Sequence, residues 1–119
     1  MIELSCHCGK ARLELARAPR RLTQCNCSLC RRYGSLWAYY RPDAVRIRYR
    51  KQDVESYAWG GRHLRFVRCR SCGCILHHAP LRQDRARKLG VNMRLADPAA
   101  IAGVRVRRLD GADTWKFLD

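Results

Sequence analysis

The sequence predicts a mainly β protein built as one domain, and three observations support this prediction. The chain has 119 residues, which is close to the usual size of a single domain. Short segments in which apolar and polar residues alternate recur along it, and a period of two is typical of strands. Eight cysteines are grouped in three clusters, and cross-links through them would stabilise a core of this small size.

Seven segments are predicted as strands, namely residues 2–5, 11–15, 36–40, 45–49, 64–69, 91–95 and 104–109. Turn residues separate them at 8–10, 41–43, 59–61, 72–74 and 109–111. This spacing is typical of an all-β protein made of stacked hairpins, with His63 near the tip of the hairpin that turns at 59–61. We find no linker or repeat and expect residues 1–119 to form one domain.

Helix is expected only twice. Asp97 has the side chain of an N-cap, Pro98 suits the first helical position and Gly103 suits the end, so residues 97–103 predict one to two helical turns. A second short turn is expected over residues 29–32, with Ser28 as its cap.

The charge of the chain indicates an anionic partner. Lysine and arginine total 25 against 10 acidic residues, giving a formal net charge of +15. The first residues lack the layout of a secretory signal, no apolar run approaches the roughly 20 residues of a membrane span, and mean hydropathy is −0.46. We therefore expect a cytoplasmic protein outside the membrane, where thiols stay reduced and clustered cysteines bind metal rather than form disulfides.

Two cysteine pairs predict a closed metal site. Cys6 and Cys8 are followed by Gly9, and Cys69 and Cys72 are followed by a glycine in the same way. Together they supply the four thiolates of a tetrahedral structural zinc site. The alternative is that these thiols are free and buried, but a glycine directly after the second cysteine of both pairs favours metal.

The remaining cluster, Cys25, Cys27 and Cys30, predicts an open site. Three thiolates from one loop leave one position of a zinc ion available, which is the arrangement of zinc that acts on a substrate. An external thiol could occupy that position as a thiolate. The alternative is that one of three further residues closes the site, and these are Cys74, His77 and His78.

Four segments in order resemble the glutathione-dependent formaldehyde-activating enzyme family, which includes centromere protein V. They are Ser5-Cys6-His7-Cys8-Gly9, the run from Cys25 to Arg32, the run from Phe66 to Gly73, and Gly90-Val91-Asn92-Met93-Arg94-Leu95. The resemblance covers about residues 2–118 and is specific, because three differently spaced cysteine clusters occur in the family's order.

The resemblance implies a β-tent fold of small antiparallel sheets with two zinc ions per chain. It implies a structural ion on Cys6, Cys8, Cys69 and Cys72, and a catalytic ion on Cys25, Cys27 and Cys30. The implied activity is that of S-(hydroxymethyl)glutathione synthase, a carbon–sulfur lyase that acts on glutathione and formaldehyde. The run after Cys72 differs from many members, which carry an aromatic residue there, and this concerns the substrate more than the fold.

A glutathione-like substrate would need cations and a pocket wall. Arg31 and Arg32 directly follow Cys30, and with Arg94 they are our candidates for binding its carboxylates. Three aromatic residues after the cluster are predicted either as an apolar pocket wall or as core, and they are Trp37, Tyr39 and Tyr40.

Two functions without catalysis compete with this one. The first is a nucleic-acid or other polyanion-binding module, in which Arg46, Arg48 and Arg50 would share one face of a strand and follow a phosphate backbone. The second is a zinc-stapled domain that binds a protein partner. The second would differ from the enzyme only in lacking an open metal position.

Overall fold

The structure is a computed structural model that describes residues 1–59, 63–82 and 87–119. These residues contain ten strands and two short α-helices. The strands are β1 (Ile2–Ser5), β2 (Arg12–Leu15), β3 (Arg21–Cys25), β4 (Trp37–Tyr40), β5 (Val45–Arg48), β6 (Val54–Tyr57), β7 (Leu64–Cys69), β8 (Ile75–Pro80), β9 (Leu89–Asn92) and β10 (Arg105–Leu109). The helices are α1 (Cys30–Tyr33) and α2 (Pro98–Ile101), and 3₁₀ turns cover Pro42–Ala44, Lys51–Asp53 and Met93–Leu95.

The mainly β class is confirmed; six of the seven predicted segments contain a strand, and the seventh, 91–95, overlaps the end of β9. The segment predicted at 91–95 is partly wrong, because β9 ends at Asn92, whose side chain accepts the backbone N–H of Arg94 at 3.2 Å and starts a 3₁₀ turn. Of the predicted turn at 59–61, residues 60 and 61 lie outside the described part of the chain.

Three strands were not predicted, because their sequences do not alternate. β8 is buried at five consecutive positions, including two histidines, and a strand with both faces covered has no polar side. β3 has the pattern exposed, buried, buried, exposed, buried. β6 contains only one aliphatic residue, Val54.

Both helices lie where they were predicted. The Asp97 side chain accepts the backbone N–H of Ala99 at 2.9 Å, as expected of an N-cap. The predicted cap on α1 is wrong, because Leu29 occupies the N-cap position and no side chain bonds there. Gly34 ends α1 in the left-handed conformation.

The strands form two sheets that share one core. A three-stranded sheet has the order β1-β2-β5, and a seven-stranded sheet has the order β10-β3-β4-β9-β8-β7-β6, in which only the β10–β3 pair is parallel among the described strands. Buried residues of both sheets meet between them, for example Leu13 of β2 and Val91 of β9.

The opposite face of the seven-stranded sheet carries a second cluster of buried residues. Phe66 of β7 belongs to this cluster, and strand pairing places further residues on its side of the sheet: His78 lies opposite Phe66, Gly90 opposite His78, and Tyr39 opposite Gly90. Because side chains alternate between the faces of a strand, these residues share one side of the sheet. We call this side the site face.

Candidate metal centres and cavity

Four cysteines distant in sequence meet at one point. The sulfur atoms of Cys6, Cys8, Cys69 and Cys72 all lie within 4.8 Å of one another. The Cys8 sulfur is 3.6 Å from both the Cys6 and the Cys69 sulfur, close to the roughly 3.8 Å edge of a tetrahedron with Zn–S bonds of about 2.3 Å. The geometry of these residues therefore fits one zinc ion.

Two turns that each end at a glycine present these thiols. The carbonyl of Cys69 accepts the backbone N–H of Gly73 at 2.9 Å, and the carbonyl of Cys6 accepts that of Gly9 at 3.2 Å. The two glycines have φ values of 78° and 85°, which residues with a Cβ adopt only at a cost. This is the physical reason for the glycine after each pair.

Backbone N–H groups surround the sulfur atoms of this site. The N–H of Ala11 points to the Cys6 sulfur at 3.4 Å. Burial opposes ionisation of Cys72, but the backbone N–H groups of Cys74 and Cys8 outweigh it and lower the pKa of Cys72 to about 5. A thiol that ionises readily suits metal binding, because the ligand is the thiolate.

Two of the three residues that could have closed the open site lie elsewhere. Cys74 is half-buried beside Cys72. His77 is buried on the core side of β8, and its Nε2 lies 2.9 Å from the Tyr49 hydroxyl. The third, His78, lies on the site face. Among the described residues, the group of possible ligands around Cys25 contains Cys27 and Cys30 but not His78.

The three-cysteine cluster is built where β3 passes into α1. Cys25 ends β3, Cys27 lies in the loop and Cys30 begins α1, and their sulfur atoms lie within 4.8 Å of one another. The N–H of Cys30 points to the Cys27 sulfur at 3.3 Å, and the indole N–H of Trp37 to the Cys30 sulfur at 3.3 Å. All three cysteines are buried, and the three thiols fit a three-ligand metal site.

A hydrogen bond between two thiols of the cluster shifts their pKa values in opposite directions. A hydrogen bond from Cys30 lowers the pKa of Cys25 to about 6. The same bond raises the pKa of Cys30. This bond therefore favours the thiolate form of Cys25 and the neutral form of Cys30.

A cavity of about 260 Å³ opens in front of this cluster, slightly below the roughly 300–1,000 Å³ usual for ligand pockets. Beyond the three cysteines, its walls are largely aromatic and aliphatic: Trp37, Tyr39, Trp59, His63, Leu64, Phe66, His78, Leu109 and Trp115. Among the described lining residues there is no arginine, lysine or acid. Such a wall presents a surface of low polarity, which strengthens the electrostatic effect of a bound ion.

His78 is the most deeply buried histidine of this wall. Its side chain is 7% exposed, and Nδ1 has no hydrogen-bond partner within the described residues. Burial lowers the pKa of His78 to about 4, so the ring is neutral at pH 7. Gly90 makes room for it, because a Cβ at Gly90 would overlap the imidazole.

Residues after β10 close one side of the cavity, and sequence reasoning missed them. The Asn26 side chain donates to Asp110 at 3.1 Å and accepts the backbone N–H of Ala112 at 2.9 Å. This places Gly111 so close to Cys25 that a Cβ there would overlap the sulfur. The Asp110-Gly111 pair signals only a turn, and nothing in it points to a site.

The arginines predicted to bind substrate are exposed and are absent from the described cavity wall. Arg32 donates to the carbonyl of Ser28 at 2.7 Å, and Arg94 donates to the carbonyl of Gly34 at 3.0 Å. Arg31 lies on α1 beside them. Their role in binding substrate stays a prediction.

The three aromatic residues that follow the three-cysteine cluster were predicted either as a pocket wall or as core, and the structure shows both positions. Trp37 and Tyr39 line the cavity. Tyr40 points to the main core, where its hydroxyl donates to the carbonyl of Arg17 at 3.0 Å.

The arginines proposed as a phosphate track are paired with acids. Arg46 and Arg48 both lie within 3.7 Å of Glu14, and Arg50 lies 3.3 Å from Asp53. These ion pairs reduce the positive charge that a nucleic acid would meet.

The fold and the two clusters define a small β protein with two candidate zinc sites, one closed and one facing a cavity. Comparison with family models identifies the particular family: residues 1–105 match the glutathione-dependent formaldehyde-activating enzyme, and the chain belongs to that family. The resemblance found in the sequence is thereby confirmed.

A solved structure of another protein has the same fold. It is the crystal structure of a Rhodobacter sphaeroides protein, with a TM-score of 0.70 and 28% identity, covering 88% of this chain and 99% of that chain. A comparison with curated protein sequences finds no match. In the part of the chain that the structure describes, no helix has the length and apolar character needed to cross a membrane.

Proposed function

We propose that this chain is a zinc enzyme that joins a small thiol such as glutathione to an aldehyde, as S-(hydroxymethyl)glutathione synthase does. In this proposal residues 1–119 act as one cytoplasmic domain of the β-tent type and hold two zinc ions. The family match supports glutathione and formaldehyde as the starting point. The single observation that carries the proposal is the three-cysteine cluster facing a cavity.

The reaction forms one carbon–sulfur bond. The sulfur of the thiol attacks the carbonyl carbon, the carbonyl π pair moves to oxygen, and the thiol proton ends on that oxygen; the lyase direction is the reverse. A zinc ion held by Cys25, Cys27 and Cys30 supplies a Lewis acid and lowers the pKa of a bound thiol.

The chain's own residues support this chemistry in three ways. The Trp37 indole fixes the Cys30 sulfur by its N–H bond, as residues behind metal ligands commonly do. The aromatic wall gives the reacting atoms surroundings of low polarity. The neutral, buried His78 ring adds an uncharged surface to the cavity wall.

The test compares two cysteine substitutions in zinc-loaded protein. Cys27→Ser removes one ligand of the three-cysteine cluster, whereas Cys74→Ser makes the same change outside both clusters. We expect Cys27→Ser to lose about one zinc ion and ~100-fold or more of its activity, measured by exchange NMR on glutathione with formaldehyde and larger aldehydes. Cys74→Ser should retain both.

Wild-type protein that neither binds glutathione nor accelerates adduct formation with any aldehyde would refute the proposal. The competing zinc-stapled scaffold would show full zinc content and no exchange of the thiol ligand. The hypothesis of a nucleic-acid-binding module has less support, because Arg46, Arg48 and Arg50, which would contact the phosphates, form ion pairs with acidic side chains.

A further inference from the structure

A second cavity adjoins the metal cavity and shares Tyr39 with it. It has a volume of about 470 Å³. Four of its lining residues are cationic, and we call this cavity the basic cleft: Arg17, Arg20, Arg21 and Lys88. Thr23 and Tyr39 also line it.

Strand register explains why the basic cleft and the three-cysteine cluster are neighbours. On β3, side chains alternate, so Arg21, Thr23 and Cys25 project to one side. At about 3.3 Å per residue, the Cα of Arg21 is roughly 13 Å from that of Cys25. Thr23 pairs with Trp37 on β4, so Tyr39, two residues further along, lies on the same side next to Arg21.

The far wall of the cleft follows from the next strand pair. Tyr40 pairs with Leu89 of β9, which brings the preceding residue, Lys88, to the same end of the site face. Arg17 is held from the core side, since its carbonyl accepts the Tyr40 hydroxyl and its guanidinium lies 5.8 Å from the centre of the Tyr40 ring.

The cations of the basic cleft differ from half of the sixteen other arginines that the structure describes. Eight arginines of the described chain form ion pairs with acids: Arg12, Arg41, Arg46, Arg48, Arg50, Arg68, Arg70 and Arg108. Within the described residues, the four cations of the cleft have no such pair. Like charges held together repel one another unless an anion lies between them.

We propose that the basic cleft binds the carboxylates of the thiol substrate while its sulfur reaches the three-cysteine cluster. This inference rests on the proposed function and assigns to the cleft the role first predicted for Arg31, Arg32 and Arg94. In a tripeptide whose thiol lies on the central residue, roughly 7 Å at most separates the sulfur from a terminal carboxylate. The length of an arginine side chain covers the rest of the separation between the two sites. Arginine binds carboxylate with two parallel hydrogen bonds.

Three probes separate the contributions of sulfur and carboxylate. Glutathione has both groups, S-methylglutathione keeps the carboxylates without a free thiol, and 2-mercaptoethanol has a thiol without a carboxylate. Their binding to zinc-loaded protein is measured by calorimetry. Arg21→Gln and Lys88→Gln test the cleft, and Arg31→Gln is the matched control on α1.

We expect each cleft variant to bind glutathione and S-methylglutathione about two- to fivefold more weakly, because the cations of the cleft are exposed and exposed ion pairs contribute modestly to affinity. Binding of 2-mercaptoethanol should not change, and Arg31→Gln should resemble the wild type throughout. Zinc content and far-UV circular dichroism confirm that each variant is folded.

Cleft variants that bind all three probes like the wild type would overturn the inference, as would a loss confined to Arg31→Gln. Wild-type protein that binds neither glutathione nor S-methylglutathione would overturn it too. Failure of the proposed function looks different: glutathione would bind no tighter than S-methylglutathione, 2-mercaptoethanol would not bind, and the cleft variants would still weaken both peptides.

Discussion

Gly111 is the position where one added methyl group should disturb the three-cysteine cluster most directly. A Cβ there would overlap the Cys25 sulfur and lie 3.3 Å from the Cβ of Cys27. The φ of Gly111 lies outside the left-handed region, so the effect of Gly111→Ala is steric. Overpacking of this kind costs about 1–3 kcal/mol, which corresponds to zinc affinity about 5- to 150-fold weaker at this cluster.

The assay is competition of zinc-loaded protein with a chromogenic chelator. Zinc bound at the four-cysteine site serves as the internal standard. The three atoms nearest to a Cβ added at Gly111 belong to Cys25, Cys27 and Trp115, and none of these residues is a ligand of that site. Ala112→Ser is the matched control, since the adjacent residue is exposed and its backbone bond to Asn26 is kept. Zinc release should be earlier only for Gly111→Ala and only for one of the two ions.

Unchanged zinc release from Gly111→Ala would refute the placement of the chain after β10 against Cys25. Equal weakening of both ions would refute the local, steric origin of the effect and indicate a general loss of stability.

Three further predictions concern the metal ligands, acid stability and a helix cap. Trp37→Phe keeps a six-membered aromatic ring but removes the indole N–H at the Cys30 sulfur, so zinc should bind that cluster about tenfold more weakly by chelator competition, whereas Trp59→Phe should not change it. Burial lowers the pKa of His77 and of His78 to about 4. Between pH 6.5 and pH 4 the unfolded chain therefore binds more protons than the folded chain. As the pH falls through this range, the free energy of unfolding in urea titrations should fall by up to ~1.4 kcal/mol per pH unit for each histidine. His77→Gln should remove its share of this slope, and an unchanged slope would contradict the assignment. Asp97→Ala should cost about 1 kcal/mol in the same titration and Asp97→Asn much less; equal losses would contradict the cap.

Local patterns in the sequence predicted the local structure well. Alternation in the first strand and in β7 predicted both with the observed bounds, Ile2–Ser5 and Leu64–Cys69. The Asp97 cap was correct because an N-cap depends on neighbours two or three residues away. Cysteine spacing indicated which thiols can reach one ion from a single turn, for the same reason.

Patterns failed where burial comes from distant parts of the chain. β8 is covered on both faces, one by the core around Val91 and the other by the cavity wall around Phe66, so its sequence carries no alternation. Ser28 failed as a cap because α1 begins one residue later than its sequence indicates.

The sequence by itself determined the mainly β class, the three cysteine clusters and the family to which they point. Only the tertiary structure decided what surrounds them. The order of strands in the seven-stranded sheet joins Cys25 to a wall that includes Trp59, His78 and Trp115, and it sets the basic cleft at the other end of β3. The physical reason is that thiol spacing is encoded within a few residues, whereas a cavity wall depends on pairings between strands far apart in the chain.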